Sequence, residues 1–125
     1  MKKCIFCDLP KGREIIDSND YAVAFYDGFP VTKYHTLIIP KRHVADYFEL
    51  EKVELDSINE LLYAQKMRLE SLDETITGFN IGVNVGKDAG QSIFHVHVHL
   101  IPRRKGDTKE PKGGVRGVIP QKQKY

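Results

Sequence analysis

Apolar and polar positions change period several times along the chain, and each change marks an element. Glu14–Ile16 and Tyr21–Tyr26 read as two short strands joined near Ser18-Asn19, and in the second Tyr21, Val23 and Phe25 alternate with Ala22, Ala24 and Tyr26. A loop from Gly28 to Lys33 carries Pro30, and His35–Ile39 is a compact, β-branched strand stopped by Pro40. Over residues 50–72 the spacing becomes helical. Leu50, Val53, Ile58, Leu61, Leu62 and Leu69 fall on one apolar face, with no good capping residue at the start. Gly78 breaks that pattern. Phe79–Val85 reads as a strand, Gly86–Gly90 as a turn, and Gln91–Ile101 as the last long strand, ended by Pro102. Gly106, Pro111, Gly113, Gly114, Gly117 and Pro120 then make an irregular tail. The order strand, strand, strand, helix, strand, strand predicts an α+β fold, a mostly antiparallel sheet with one long helix, and leaves the strand pairing open.

No repeat or linker divides the 125 residues, so a single domain spanning 1–125 is expected, its tail beginning at about residue 103. A composition of 41% hydrophobic and 29% charged residues is that of a globular chain. Residues 103–125 carry eight Lys/Arg and two Asp/Glu, a local +6 in a chain whose total is +2, so residues 1–102 sum to −4. A basic end is by default a solvated one; the functional reading is attraction of a polyanionic substrate. No apolar run is long enough to cross a membrane, and Met1-Lys2-Lys3 leads straight into Cys4-x-x-Cys7 without the apolar core of a signal peptide. The expected location is cytoplasmic, with neither nucleic acid nor membrane as partner. There the two cysteines are reduced, which favours a metal or redox role over a disulfide.

The segment that carries chemistry is His95-Val96-His97-Val98-His99. On a strand, alternate side chains share a face, so the three imidazoles are expected together with Val96 and Val98 behind them. Imidazoles packed together resist joint protonation. Histidines scattered on a wet strand are the bland alternative; a catalytic zinc held by histidines of one strand is a stronger rival.

His-Val-His-Val-His-Leu-Ile resembles the signature of the histidine triad family, and four further segments resemble that family in the same order. Gly90-Gln91-Ser92 is similar to its phosphate-loop triplet, and Asn84-Val85-Gly86 to its Asn-x-Gly. His35 to Lys41 is similar to its first signature strand, and Phe25-Tyr26-Asp27 sits at its ribose-binding carboxylate. The resemblance implies a base pocket at Ile5, Phe6, Leu9 and Phe25. It also implies ribose binding by Asp27 and phosphate contacts from Asn84, Gly90, Gln91, Ser92 and His99. His97 would be the covalent nucleophile, with His35, His95, His99 and Gln91 completing the catalytic set. The implied activity is a nucleotide hydrolase or transferase acting at the α-phosphate through a nucleotidyl-histidine intermediate. That chemistry is sound, since a neutral imidazole attacks an anionic phosphoester without adding charge repulsion. Turn and core roles remain the alternatives for Asp27, Asn84, Ile5, Phe6 and Phe25.

Two departures narrow the resemblance. Tyr34 stands where the family usually has Gly, and the chain has no Trp, unlike the nucleoside phosphoramidase branch. Pro102-Arg103-Arg104 with Lys105-Gly106-Asp107 looks more like the branch that splits dinucleoside polyphosphates. A phosphoramidase, a non-catalytic nucleotide- or zinc-binding module and a metal-dependent hydrolase are the alternatives. The resemblance also implies a homodimer, paired through the long helix and the strand near Phe79–Val85. Similarity to the zinc-containing bacterial type implies a structural zinc held by Cys4, Cys7, His43 and His95. In zinc-free branches His95 serves the active-site network instead, and a redox pair or two unpaired thiols remain open for the cysteines.

Overall fold

The computed structural model describes residues 4–7 and 13–125; Leu9, expected in the base pocket, lies outside the described residues. Five strands and one long helix follow in the expected order: β1 Ile15–Ser18, β2 Ala22–Tyr26, β3 Thr36–Pro40, α1 Lys52–Leu72, β4 Ile76–Val83 and β5 Val98–Arg104. The sheet order is β1-β2-β3-β5-β4, and every neighbouring pair is antiparallel. β3 and β4 are therefore parallel to each other with β5 inserted between them, and α1 makes the crossover that links them. Among the described residues, no helix is long and apolar enough to cross a membrane.

Alternation along the strands gives the sheet two apolar faces. Ala22, Ala24, Ile38 and Val98 pack against Ile58 and Leu61 of α1. Leu69, Ile76 and Leu100 extend that layer. The small Ala22 and Ala24 let the helix approach the sheet closely. On the other face Phe25, Leu37 and Ile39 pack with Phe6 from the N-terminal segment.

The helix buries a slightly different stripe from the one its apolar residues suggest. Val53 is exposed, while Glu54, Ser57 and Gln65 are buried with Ile58, Leu61 and Leu69. Each polar member has at least one hydrogen-bonded group, although Gln65 Oε1 is buried without a partner among the described residues. Glu54 accepts from Arg42 at 2.8 and 3.0 Å, the Ser57 carbonyl accepts from Asn19 Nδ2 at 2.8 Å, and Gln65 Nε2 donates to Asp17 at 3.1 Å. The helix start is also better capped than the sequence suggests, because the Glu54 carboxylate accepts the Glu51 backbone N–H at 2.8 Å.

β3 ends at Pro40 as expected, whereas β5 runs on through Pro102 to Arg104. Pro40 pairs only with Ala22 of β2, and Pro102 only with Phe79 of β4, because the β3–β5 ladder spans just 36–38 and 98–100. Each proline thus points its missing N–H where no second strand runs. The larger correction is upstream: Gln91 to His97 is not a strand, and regular pairing begins only at Val98. Gly86 and Gly90 take positive φ, 88° and 96°, around the 3₁₀ turn Lys87–Ala89 that precedes this segment.

Candidate active site

The three triad imidazoles divide between two places. His95 is fully buried and its ring turns toward the N-terminal cysteines, whereas His97 and His99 stay together with ring centroids 5.3 Å apart. The cause is the irregular run before β5, where the Val96 N–H bonds to the Val44 carbonyl at 2.8 Å instead of joining a ladder. Phe6 nevertheless stands edge-on to both His95 (6.2 Å) and His97 (5.1 Å), so the histidines keep a common side and differ in where the His95 ring points.

Hydrogen bonds fix which nitrogen of each ring is bare. His97 Nδ1 lies 3.0 Å from the His95 carbonyl, which can only accept, so Nδ1 carries the proton and Nε2 presents a lone pair. The Val31 backbone N–H donates to His35 Nδ1 at 3.0 Å, leaving the His35 proton on Nε2. That Nε2–H meets His99 Nδ1 at 2.9 Å, so neutral His99 keeps its own proton on Nε2. Burial depresses the pKa of His35 and brings that of His99 to about 4, which keeps both rings neutral near pH 7. The pair 97/99 thus presents one bare nitrogen and one N–H donor.

Asp27 has two tasks. Its Oδ1 accepts the Phe29 N–H at 2.9 Å, the turn role, while Oδ2 sits 3.5 Å from His35 Nε2. Phe6 stands edge-on to His97 at 5.1 Å and to Phe25 at 5.5 Å. Phe25 is itself 0% exposed, with the Arg13 guanidinium 5.2 Å from its ring centre, so it backs Phe6 and presents no surface to a base. Ile5 is exposed. A cavity of about 500 Å³ opens beside Phe6, lined also by Arg13, Ile15, Val23, Ile39 and Lys41.

Gln91 is corrected from a substrate contact to a brace. It is buried, its Nε2 donates to the carbonyls of Ala45 (2.7 Å) and Ile93 (3.1 Å), and its Oε1 accepts the Gly86 N–H at 2.9 Å. The backbone N–H groups of Gly90 and Gln91 are likewise committed, to Lys87 and Gly86 carbonyls at 3.0 Å each. Ser92 is exposed beyond them, and Asn84 packs beside Gly90. Arg103 and Arg104 are also turned inward: Arg103 is bidentate to Asp107 at 2.8 Å, and Arg104 reaches Asp73 at 2.9 Å.

Around the buried His95, Cys4, Cys7 and His43 bring their donor atoms within 4.8 Å of one another and of its ring. His95 Nδ1 is 3.5 Å from Cys4 Sγ and 3.4 Å from Cys7 Sγ, and His43 Nδ1 is 3.1 Å from Cys7 Sγ. A tetrahedral zinc with ordinary bond lengths separates sulfur and nitrogen ligands by about 3.6 Å. His95 Nε2 donates to the Pro40 carbonyl at 2.8 Å, which leaves Nδ1 unprotonated and facing the two sulfurs. That is the arrangement a ligating histidine takes. Asp27, His35 and His99 form a second gathering of donor atoms. There the His35 and His99 nitrogens face each other in a hydrogen bond and do not converge on a common point.

The family model for the HIT domain matches residues 11–106. The chain belongs to the HIT family. It is 40% identical over 105 residues to an uncharacterized HIT-like protein of Mycoplasma genitalium, covering 80% of this chain and 72% of that protein. It is 33% identical over 112 residues to the asymmetrical bis(5'-nucleosyl)-tetraphosphatase of Schizosaccharomyces pombe, covering 87% of this chain and 59% of that enzyme. The crystal structure of a zinc-bound histidine triad family protein from Mycobacterium smegmatis superposes with a TM-score of 0.76 at 30% identity, over 86% of this chain and 79% of that one.

Within this HIT domain the structure brings together His35, His97, His99 and Asp27, and gathers Cys4, Cys7, His43 and His95 into the neighbouring cluster. Sequence reasoning missed the Val31 amide, which no side-chain pattern can signal. Tyr34 was visible as a departure, and it does adopt φ 74°. A left-handed conformation costs a non-glycine residue about 1–2 kcal/mol. Packing of its ring 5.8 Å from Tyr26 and against the Leu69–Leu100 layer offsets that strain.

Proposed function

We propose that this HIT protein is a nucleotidyl hydrolase or transferase that acts on a dinucleoside polyphosphate-like substrate through His97. One observation carries the reading: the His95 carbonyl, 3.0 Å from His97 Nδ1, holds the proton there and leaves Nε2 bare, with the His99 ring 5.3 Å away. In the first step Nε2 attacks the α-phosphorus, a P–N bond forms, and the bond to the leaving phosphate oxygen breaks. The His99 Nε2–H and Ser92 donate to phosphate oxygens as charge grows there, and Asn84 supports that side. Water then attacks the phosphorus, the imidazole departs, and a nucleoside monophosphate leaves. The nucleoside rests in the cavity beside Phe6, with Asp27 accepting its ribose hydroxyls.

Zinc bound by Cys4, Cys7, His43 and His95 would close a four-ligand structural site with no position open for water. It would tie the N-terminal segment, and so Phe6, to the residue whose carbonyl orients His97. Two chains would pair through the free edge of β4 and the outer face of α1.

The test is to trap the intermediate. Incubation with an adenylate donor is expected to leave one adenylate on wild-type protein, mapped to His97, and none on His97→Ala. Turnover that survives in His97→Ala above about 1% of wild type overturns the mechanism. Turnover lost reversibly to chelator, with no adenylate formed, would point instead to a metal-dependent hydrolase.

A further inference from the structure

One short run of backbone joins the cysteine–histidine cluster to the phosphate side of the cleft. His43 lies in the cluster, its Nδ1 3.1 Å from Cys7 Sγ. The next residue, Val44, is buried, and its carbonyl accepts the N–H of Val96, between two of the triad histidines, at 2.8 Å. The carbonyl after that, of Ala45, accepts Gln91 Nε2 at 2.7 Å. Three consecutive residues thus hold three separate parts of the site.

Gln91 carries the last of these connections onward. Its Nε2 also donates to the Ile93 carbonyl at 3.1 Å, and its Oε1 accepts the Gly86 N–H at 2.9 Å. Two carbonyls on one side and an N–H on the other fix the orientation of the amide, since the reverse would set oxygen against oxygen. The side chain is 3% exposed, so water does not stand in for these partners. Glu has the length but would turn an ionised oxygen on two carbonyls, and Met has the length but no N–H to give.

The loop held in this way carries the phosphate-side groups. Gly86 and Gly90 bracket its 3₁₀ turn, and the N–H groups of Ala89, Gly90 and Gln91 bond back into it. An internally bonded turn shifts as one body with the group that anchors it. Asn84 Nδ2 stands 3.8 Å from the Cβ position of Gly90, and Ser92 follows Gln91 directly.

We infer that Gln91 is a positioning residue that couples the metal cluster to the phosphate loop. Closing Cys4, Cys7, His43 and His95 around zinc would fix the 43–45 run, and through Gln91 the pose of Asn84 and Ser92 toward phosphate. Coupling between two sites is reciprocal, so phosphate held at the loop steadies the zinc ligands in turn. This rests on the zinc site and the phosphate contacts proposed above, but not on turnover. The separate connection through Phe6 acts on the nucleoside instead.

Zinc retention is the readout. A chromophoric chelator competes for the metal without ligand, with adenosine and with AMP. In wild type, AMP is expected to raise zinc affinity about fivefold and adenosine less than about twofold. Gln91→Met and Gln91→Glu are expected to bring the AMP effect down to that of adenosine, while each still takes up about one zinc per chain. A role in folding alone would lower Tm and leave the AMP effect in place. Zinc affinity indifferent to AMP in wild type, an AMP effect kept by both variants, or no zinc uptake at all overturns the proposal. The wild-type measurement alone can overturn it where a variant fails to fold. Failure to trap adenylate on His97 with the AMP effect intact would overturn the hydrolase chemistry and leave this coupling standing.

Discussion

His35 Nε2 sits 2.9 Å from His99 Nδ1, and the Val31 N–H holds the other nitrogen of His35 at 3.0 Å. A backbone amide cannot act as an acceptor, so it sets the tautomer of both rings. His35 is thereby a positioning residue for the donor at His99. His35→Ala is expected to lower kcat by about 10–100-fold, with a smaller change in KM. Long-range ¹H–¹⁵N spectra should show His99 as the Nε2–H tautomer in wild type and a mixture in the variant. An unchanged His99 spectrum would refute the relay.

The same rings give a pH dependence with a definite sign. Burial lowers the pKa of His35, His95 and His99, the last to about 4, against about 6.5 when unfolded. The unfolded chain then binds more protons, so this contribution to stability is complete above about pH 6.5 and is lost as pH falls toward 4. An NMR titration should find His99 neutral at pH 5.5. A midpoint for His99 near 6.5 would contradict the burial argument.

Protein purified without chelator is expected to contain about one zinc per chain. Cys4→Ser and His43→Ala should each lower both zinc content and Tm, and chelation should lower the Tm of wild type toward theirs. A metal-free native protein with full activity and the same Tm would leave the cysteines without this role.

Asp27→Ala and Asp27→Asn should both raise KM, because each removes the carboxylate that, in the proposed function, receives ribose hydroxyls in ground and transition states alike. They should differ in stability. Asn retains an oxygen to accept the Phe29 N–H that Oδ1 now caps, and Ala does not. Equal KM values for wild type and both variants would reduce Asp27 to its turn.

Among the described residues β4 ends the sheet with an unpaired edge; Ile81 on it is 53% exposed, and Tyr63 and Met67 of α1 are 69% and 71% exposed. An edge of this kind is covered in a stable protein. Light scattering is expected to give twice the 14.3 kDa chain mass, and Ile81→Lys to shift the population toward monomer. A monomer at micromolar concentration in wild type would rule out the pairing.

The identity and order of the elements were legible in the sequence because period-2 and helical spacings are local properties. So were the triad, the Cys-x-x-Cys pair and the presence of Asp27 after Phe25-Tyr26, which are contiguous patterns of side chains. Strand limits were legible only in part: Pro40 does end β3, but β5 continues past Pro102, because whether a proline ends a strand depends on whether another strand lies on its N–H side. Val53 was assigned to the buried face because apolarity favours burial, yet Glu54 took that place once Arg42, twelve residues away, supplied its partner. Gln91 carried a motif position but was drawn into the loop by three backbone groups. The sequence by itself determined which imidazoles, thiols and carboxylates were available. The tertiary structure alone decided that His95 turns to the cysteines while its carbonyl orients His97, and that the Val31 N–H donates to His35 Nδ1 and so sets the tautomers of His35 and His99. Those assignments rest on backbone N–H and C=O groups, which every residue carries alike and only the fold can aim.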